Sequence, residues 1–249
     1  MRTELMEEVA TTVNGYHLRP QIDYDYANAR RRMIFEALTQ GVQFVCNNAV
    51  DGDVAEFGTM TGFSTYSIAR AMAYYQDMYA GYMRKAGVQR KVLRLFDSFE
   101  GLPRPDHEVD REAPNVQSGR WRESDFKGLT PDELLALCGS TYDKERIQIH
   151  SGWFRDTLAT IPAATKFAML HLDCDLYSST AEVLDYVFTA GLVADGCVIF
   201  FDDWNCNRAS PRFGQRRAWG EAVEKHRIEN SDGGDYAVLG HRFIIHRDR

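Results

Sequence analysis

The chain has 249 residues, of which 44% are hydrophobic and 26% are charged. These proportions are typical of a globular protein and exclude a disordered, collagen-like or low-complexity chain. The formal net charge of −7 at pH 7 argues against a nucleic acid as the main partner, because binding a polyanion normally requires a basic surface.

Short apolar runs alternate with helical patterns along the chain. The predicted strands are Val54–Phe57, Val92–Asp97, Ile147–His150, Phe167–Asp173, Cys197–Asp202, Ala237–Leu239 and Arg242–His246. The predicted helices between them are Ser64–Lys85, Pro131–Leu137, Ser179–Leu192 and Gln215–His226. Because repeated strand–helix–strand units imply crossover connections, the pattern predicts an α/β protein with a mainly parallel, doubly wound sheet and helices on both faces. Gly240, between the last two strands, predicts a tight antiparallel turn at the edge of the sheet.

Two regions outside this pattern have a character of their own. Residues 1–50 are helical in pattern, notably at Tyr26–Leu38, and we expect them to form a cover on a main domain of residues 51–249. Within this cover, Arg30–Arg32 favour a solvated helix face with neighbouring acidic partners over an anion site. The polar stretch Pro103–Lys127 follows a strand end. Since a loop of this length is usually functional or disordered, we interpret it as a lid rather than a mobile surface excursion.

Neither a membrane nor a secretory route is indicated. No apolar run approaches the roughly 18 to 20 residues that cross a bilayer, and the charged N-terminus is unlike a signal peptide. The five cysteines contain no C-x-x-C pair, so neither a disulfide framework nor a structural zinc site is predicted. We therefore expect a cytoplasmic protein. A stripe at helical spacing, Met72, Tyr75, Tyr79 and Tyr82, favours core or a subunit interface, and we expect a homo-oligomer.

A glycine-rich turn follows the first predicted strand and opens a helix. Its sequence is Glu56-Phe57-Gly58-Thr59-Met60-Thr61-Gly62-Phe63-Ser64. The glycines allow a tight turn and close approach of a ligand, and the helix that follows offers free N–H groups. The spacing departs from the dinucleotide pattern G-x-G-x-x-G, and the lysine of a P-loop is missing. Alone, the turn is equally compatible with a plain tight connection.

The second predicted strand ends at Asp97. An acid at this place in a nucleotide-binding fold can accept hydrogen bonds from the two hydroxyls of a ribose, although alone it is more often a helix cap or turn former. Together with the glycine turn, Asp97 favours a bound ribose. Because the turn has no lysine for phosphates, an adenosine without a phosphate chain is indicated, which fits S-adenosylmethionine.

Two later predicted strands end in aspartates. The fourth strand leads into Asp173 and Asp175, and the fifth leads into Asp202 and Asp203. Carboxyl ends of neighbouring parallel strands meet at the ligand-binding edge of a sheet, so these carboxylates are expected to converge. Such convergence is costly without a counter-ion, and oxygen ligands suit Mg²⁺, Mn²⁺ or Ca²⁺ better than zinc. We therefore predict a divalent metal site.

Other candidate side chains are given lesser roles. His150 and His171 lie on predicted strands and favour packed positions beside the site over metal ligation. Four arginines follow the second acidic pair and fit an anionic acceptor and a solvated helix start equally well; they are Arg208, Arg212, Arg216 and Arg217.

Taken together, the motifs resemble the macrocin O-methyltransferase family, which methylates sugar hydroxyls in macrolide and aminocoumarin biosynthesis. The matching motifs follow the family's order: the E-F-G-x-x-x-G-x-S turn, FDSFEGLP at Phe96–Pro103, GWFRDTL at Gly152–Leu158, DCDLYSST at Asp173–Thr180 and DDW at Asp202–Trp204. The resemblance implies a Rossmann-like class I methyltransferase fold, whose seven-stranded, mostly parallel sheet ends in a reversed hairpin. It also implies S-adenosylmethionine as the methyl donor and Mg²⁺, or Mn²⁺, at the acceptor.

The resemblance assigns roles to individual positions. The donor-binding residues would be Glu56, Gly58, Gly62 and Ser64 on the methionine side, Asp97 at the ribose, and Ser151 and Trp153 near the adenine. The metal ligands would be Asp173, Asp202 and Asp203, with Asp175 as the general base. From the residues alone, either Asp173 or Asp175 can take the proton.

The predicted activity is a metal-dependent sugar O-methyltransferase of secondary-metabolite biosynthesis. Coordination to a divalent ion lowers the pKa of an alcohol, and an aspartate can remove its proton during attack. The acceptor is a nucleotide sugar or a glycosylated natural product. A catechol-type O-methyltransferase is disfavoured because Leu176 and Tyr177 stand where that group favours a lysine. A non-catalytic donor-binding scaffold would have no need of the metal aspartates.

Overall fold

Seven strands form one sheet in the computed structural model, which describes residues 21–247. The strands are β1 Asp53–Phe57, β2 Leu93–Asp97, β3 Ile147–Ser151, β4 Phe167–Leu172, β5 Val193–Phe201, β6 Glu229–Tyr236 and β7 Gly240–His246. Their order is β3-β2-β1-β4-β5-β7-β6. The first five strands pair in parallel, whereas β7 pairs antiparallel with both β5 and β6. The predicted doubly wound sheet with a reversed C-terminal hairpin is confirmed.

Helices connect and cover the strands. They are α1 Gln21–Asn47, α2 Phe63–Met78, α3 Ala80–Lys85, α4 Glu108–Glu112, α5 Pro114–Gln117, α6 Pro131–Cys138, α7 Phe154–Thr157, α8 Tyr177–Thr189 and α9 Gly214–His226. The predicted single helix Ser64–Lys85 is two helices, which meet at Tyr79, where the backbone leaves helical geometry. No helix within residues 21–247 is long and apolar enough to cross a bilayer.

The core lies on both faces of the sheet. Along β5, Val198 and Phe200 belong to one apolar cluster, whereas Ile199 and Phe201 belong to a second. Strands buried on both faces tend to be continuous apolar runs, which explains why the sequence predicts β5. Leu38 of α1 joins the first cluster. The described part of the N-terminal cover is therefore packed into the same core as the sheet, whereas residues 1–20 lie outside the described chain.

The predicted strand Ala237–Leu239 is wrong, because these residues form the turn between β6 and β7. Ala237 and Val238 have φ values of 48° and 71°, which no strand accommodates. The strand that precedes the turn is β6, whose sequence ENSDGGDY is polar and largely exposed. An edge strand has one neighbour only and carries polar residues that discourage further pairing, so β6 gave no apolar signal.

The Met/Tyr stripe lies mostly against the core. Met72 is fully buried, and Tyr75 and Tyr79 pack against the same apolar cluster. Tyr82, which lies in α3 beyond the break at Tyr79, is 52% exposed.

The stretch 103–127, which we call the lid segment, is not a loop without secondary structure, since it contains α4 and α5. Trp121 of this segment is buried with Leu102 and Leu176 in a small apolar cluster of its own. The lid segment is thereby packed against the chain that links β4 to α8.

Candidate active site

A cavity of about 1210 Å³ opens at the carboxyl ends of the parallel strands. Its wall is formed by the glycine turn after β1, the ends of β2 and β4, the aspartates after β5, α1 and the lid segment. Ligand cavities in proteins usually measure roughly 300 to 1,000 Å³, so this one has room for two small molecules side by side.

Gly58 brings the ends of β1 and β4 into contact. Its φ is +89°, and a Cβ at this position would lie 1.9 Å from the carbonyl oxygen of Asp173. The N–H of Asp173 donates to the carbonyl oxygen of Phe57 at 2.9 Å. Glycine is therefore required here for the close approach that places Asp173 beside the turn.

We expect Gly58→Ala to lower the free energy of unfolding by more than about 2 kcal/mol, because the new methyl group meets backbone rather than a movable side chain. Gly81→Ala is the matched control, since a Cβ on Gly81 in α3 would meet nothing within 4 Å. That change should raise stability by roughly 0.5 to 1 kcal/mol. Urea unfolding of both variants measures the difference, and equal stabilities would contradict the close-contact argument.

Asp97, at the end of β2, lines the cavity and ties the glycine turn to its own strand. Its Oδ2 accepts hydrogen bonds from the backbone N–H and the hydroxyl of Thr59 at 2.7 and 2.8 Å. Its Oδ1 accepts from the N–H of Phe99 at 2.7 Å. A carboxylate offers about four acceptor positions, so Asp97 retains capacity for a hydroxyl of a ligand.

Glu56 does not reach the cavity. Its side chain is fully buried, and its Oε1 lies 2.9 Å from Nδ1 of His171, which does line the cavity. Burial lowers the pKa of His171, but the hydrogen bond and charge of Glu56 outweigh burial and raise that pKa to about 9. The contact with Glu56 therefore favours the protonated form of the His171 imidazole. Its Nε2 is buried without a hydrogen-bond partner in the described chain.

The other predicted donor-site residues divide into two groups. Gly58, Ser64, Asp97 and Trp153 line the cavity, whereas Gly62 and Ser151 do not. Gly62 precedes α2 in the left-handed conformation with φ +75°, and no side chain caps this helix. Its role is therefore to start the helix, whose first residues Phe63 and Ser64 face the cavity. Ser151 is exposed at the end of β3.

Three of the predicted aspartates converge. Asp173, Asp202 and Asp203 each place a carboxylate oxygen within 4.8 Å of the other two. Burial, followed by the charges of Asp202 and Asp203, raises the pKa of Asp173 well above its ordinary value. Burial and the charge of Asp202 raise the pKa of Asp203 to about 6. Burial is the larger cause of each shift, and the repulsion of like charges held together without a cation adds to it.

Asp175 lies beside this group and also lines the cavity. Its φ of +56° turns the chain sharply after β4, and its N–H donates to Oδ2 of Asp203 at 3.2 Å. Burial, then the charge of Asp203, raises the pKa of the Asp175 carboxyl well above its ordinary range. Among the described residues, the group that could hold a metal contains Asp173, Asp202 and Asp203 but not Asp175.

Arg30 of α1 is a site residue that the sequence pattern did not reveal. Its Nη2 lies 3.0 Å from Oδ2 of Asp202, which also accepts at Oδ1 from the hydroxyl of Tyr236 at 3.4 Å. Burial lowers the pKa of Arg30, but the charges of Asp202, Asp173 and Asp203 outweigh it and raise that pKa. Arg30 therefore has an acidic partner, and its side chain, 36% exposed, contacts the acidic cluster and lines the cavity rather than facing solvent alone.

Removing this guanidinium leaves Asp202 without its cationic partner. In the presence of EDTA, Arg30→Gln should lower the free energy of unfolding by about 1 kcal/mol, a modest value because the Arg30 side chain is 36% exposed. The control is Arg32→Gln, at an exposed position of the same helix, which should change stability by less than about 0.5 kcal/mol. Urea titrations give both values. Equal effects would show that the Arg30–Asp202 contact contributes nothing.

His150 and the later arginines have structural positions, and neither histidine is a candidate metal ligand. The His150 ring stacks on Phe96 with centroids 4.3 Å apart, and neither His150 nor His171 belongs to the metal-capable group found in residues 28–247. Arg216 lies 4.8 Å above the ring of Trp204 and donates to its carbonyl oxygen. Neither it nor Arg208, Arg212 or Arg217 lines the cavity, so these arginines do not form an anion site there.

Comparison with known proteins adds to this geometry. The sequence matches the model of a protein family described as Macrocin-O-methyltransferase (TylF) over residues 16–230. A demethyldecarbamoylnovobiocin O-methyltransferase of Streptomyces niveus is 29% identical over 171 residues, which are 68% of this chain and 59% of that protein. An 8-demethyl-8-(2,3-dimethoxy-alpha-L-rhamnosyl)-tetracenomycin-C 4'-O-methyltransferase of Streptomyces olivaceus is 29% identical over 168 residues, or 66% and 57% of the two chains. The chain thus spans less than two thirds of the length of these relatives.

A solved structure agrees with the fold described above. The structure of the O-methyltransferase NovP has a TM-score of 0.65 with this chain at 23% sequence identity, and the match covers 86% of this chain and 79% of that one. The likeness shows that the two proteins share the class I methyltransferase fold.

Proposed function

Because the chain belongs to the macrocin O-methyltransferase family, we propose that it is an S-adenosylmethionine-dependent and divalent-metal-dependent O-methyltransferase that acts on a sugar hydroxyl. The acceptor would be a nucleotide sugar or a glycosylated natural product of secondary metabolism. One observation carries the proposal: the glycine turn with Asp97 and the aspartate cluster with Asp175 share a single cavity. A donor side and an acceptor side therefore face each other.

The donor side fits S-adenosylmethionine, which supplies the methyl group as a sulfonium. Gly58 presents bare backbone, and Asp97 retains one acceptor position for a ribose hydroxyl. Trp153 lines the same side with an aromatic surface suited to a flat base. His171 offers a buried, cationic N–H without a protein partner, which suits the carboxylate of the methionine moiety. Glu56 would act by keeping that imidazole charged.

The acceptor side fits a hard divalent cation. The three carboxylate oxygens lie within 4.8 Å of one another. Neighbouring oxygens in an octahedral Mg²⁺ shell lie about 3 Å apart, so the carboxylates would close in slightly around the ion. Asp173, Asp202 and Asp203 would hold the ion, which would lower the pKa of a bound hydroxyl. Arg30 and the hydroxyl of Tyr236 would orient Asp202 by bonding its two carboxylate oxygens, as hydrogen-bonding neighbours of metal ligands commonly do.

Asp175 is the residue that we propose to take the proton from the acceptor hydroxyl, at a carboxylate oxygen. Its side chain faces the cavity, while Asp173 belongs to the metal-capable group. A carboxylate with a raised pKa is a stronger base than a free aspartate, so proton transfer to Asp175 is easier. The lid segment would exclude water while the methyl group is transferred.

The sugar preference rests on the family and on the relatives. The family description names macrocin, and the name of the S. olivaceus relative places its methyl group on the 4' oxygen of a rhamnosyl sugar. The volume of the cavity, about 1210 Å³, accommodates a hexose beside the donor.

The test is a transfer assay with S-adenosylmethionine labelled on its methyl group. Candidate acceptors are nucleotide-activated hexoses, glycosylated macrolides or aminocoumarins that lack a methyl group, and aromatic diols. We expect labelled product from a sugar-bearing acceptor and none from the diols. Turnover of the diols alone would show a catechol-type enzyme. Tight binding of S-adenosylhomocysteine without turnover of any acceptor would favour a donor-binding scaffold.

A further inference from the structure

A carboxylate of the lid segment caps a helix far away in the sequence. Asp110 in α4 is only 1% exposed. Its Oδ1 accepts a hydrogen bond from the N–H of Tyr177 at 2.7 Å, and its Oδ2 accepts from the N–H of Ser178 at 3.1 Å. These two N–H groups begin α8, so Asp110 satisfies the first donors of a helix that starts 67 residues later.

The sequence around α8 provides no cap of its own. The residue at the N-cap position is Leu176, whose side chain cannot accept a hydrogen bond, and the first turn contains no acidic residue. The first N–H groups of a helix have no partner inside the helix, and a negative charge near them is favourable. Asp110 supplies both the acceptors and the charge. The start of α8 is therefore complete only while the lid segment is in place.

The capped stretch is continuous with the proposed catalytic loop. Asp175 precedes Leu176 directly and holds a left-handed conformation, with its N–H directed to Asp203. Leu176 itself is 1% exposed and packs against Trp121 of the lid segment. The lid segment thus holds the residues that directly follow Asp175 by the hydrogen bonds of Asp110 and by the apolar contact of Trp121.

The same segment reaches the second acidic loop. The N–H of Asn115 in α5 donates to Oδ1 of Asn207 at 3.0 Å, and Asn207 is 2% exposed. The preceding residue, Cys206, contacts Asp203 through both its N–H and its thiol. The lid segment is therefore bonded to the chain near both pairs of aspartates.

We propose that Asp110 is a positioning residue, which couples closure of the lid segment to the placement of Asp175. With the lid segment closed, the cap on α8 fixes the backbone of the turn that carries the proposed base. With the lid segment displaced, the α8 N–H groups lose their acceptors and the turn is released. This inference rests on the proposed function in naming Asp175 as the base, but the structural coupling can be measured without turnover.

The test compares Asp110→Asn and Asp110→Ala with wild type, and with Glu112→Gln as the control. Glu112 is an exposed acid on the same helix α4 and lies outside the cavity wall, so Glu112→Gln removes an equal charge. Amide hydrogen exchange is followed at Asp175, Tyr177 and Ser178. Steady-state rates are normalised to the number of S-adenosylhomocysteine sites found by calorimetry.

We expect exchange at these amides to accelerate by at least about tenfold in Asp110→Asn and further in Asp110→Ala. We expect kcat per donor site to fall by about tenfold to a hundredfold, because a small misplacement of a catalytic group has an effect of this size. The affinity for S-adenosylhomocysteine should change less than about twofold. Glu112→Gln should match wild type in all three measurements.

Unchanged exchange at Asp175 would overturn the proposal. A fall in rate that is fully explained by fewer donor sites would also overturn it, since Asp110 would then serve folding alone. If wild type methylates no acceptor, the proposed function fails, and exchange at Asp175 still decides the coupling: acceleration supports it and wild-type exchange refutes it.

Discussion

Asp175→Asn is expected to reduce methyl transfer by about 10² to 10⁴-fold, the range that general base catalysis supplies. The asparagine keeps the size of the side chain but cannot take the proton from the acceptor hydroxyl. Because the N–H of Asp175 that bonds Asp203 belongs to the backbone, the contact between the two loops should survive the change. Binding of S-adenosylhomocysteine and of Mn²⁺ should remain close to wild type.

The informative comparison for this variant is Asp173→Asn, because the two aspartates have different proposed tasks. Asp173 belongs to the group that can hold a metal, and Asp175 does not. Asp173→Asn should therefore weaken Mn²⁺ binding as well as turnover. An exposed acid on α9 provides the control, and Glu224→Gln should leave both unchanged. Full turnover by Asp175→Asn would show that Asp175 is not the base. If Asp175→Asn weakened Mn²⁺ binding and Asp173→Asn did not, Asp175 would be the metal ligand and Asp173 the base.

The sequence predicted those parts of the fold in which a strand is buried on both faces. The residues of β4, except His171, and those of the second half of β5 are apolar and buried, so the sequence predicts both strands. The polar edge strand β6 could not be predicted in this way, because its exposed residues carry no apolar pattern. The apolar run at Ala237–Leu239 predicts a strand, because residue types alone give no indication of the positive φ that makes it a turn.

Some residues of the candidate site could be predicted from the sequence and others could not. The convergence of Asp173, Asp202 and Asp203 could be predicted from the sequence, because the carboxyl ends of neighbouring parallel strands share one edge of the sheet. The contacts of Arg30 with Asp202 and of Asp110 with the start of α8 could not be predicted, because they depend on how α1 and α4 pack rather than on sheet topology. Arg30 is separated from Asp202 by 172 residues. The only available signal was an arginine run in a helix, which is usually exposed.

Removal of divalent cations with EDTA should reduce methyl transfer by at least about 100-fold, because a bound cation contributes several kcal/mol of charge stabilisation at the reacting oxygen. Addition of Mg²⁺ or Mn²⁺ should restore the rate. Stability should change in the same direction, since the proposed cation would bind the folded carboxylate cluster and relieve its repulsion. At a concentration 100 times the dissociation constant, binding adds about 2.7 kcal/mol to the free energy of unfolding.

Asp203→Asn separates this effect from general ionic effects. The variant removes one of the three converging carboxylates and should lose both the stabilisation by Mg²⁺ and most of the turnover. In Glu224→Gln, by contrast, Mg²⁺ should stabilise the protein as in wild type. If EDTA leaves turnover intact and Mg²⁺ does not raise the unfolding temperature, the cluster is not a metal site. The charges of the cluster would then be balanced by side chains of the described residues. Arg30 forms an ion pair with Asp202, and the charge of His171 acts on Asp173.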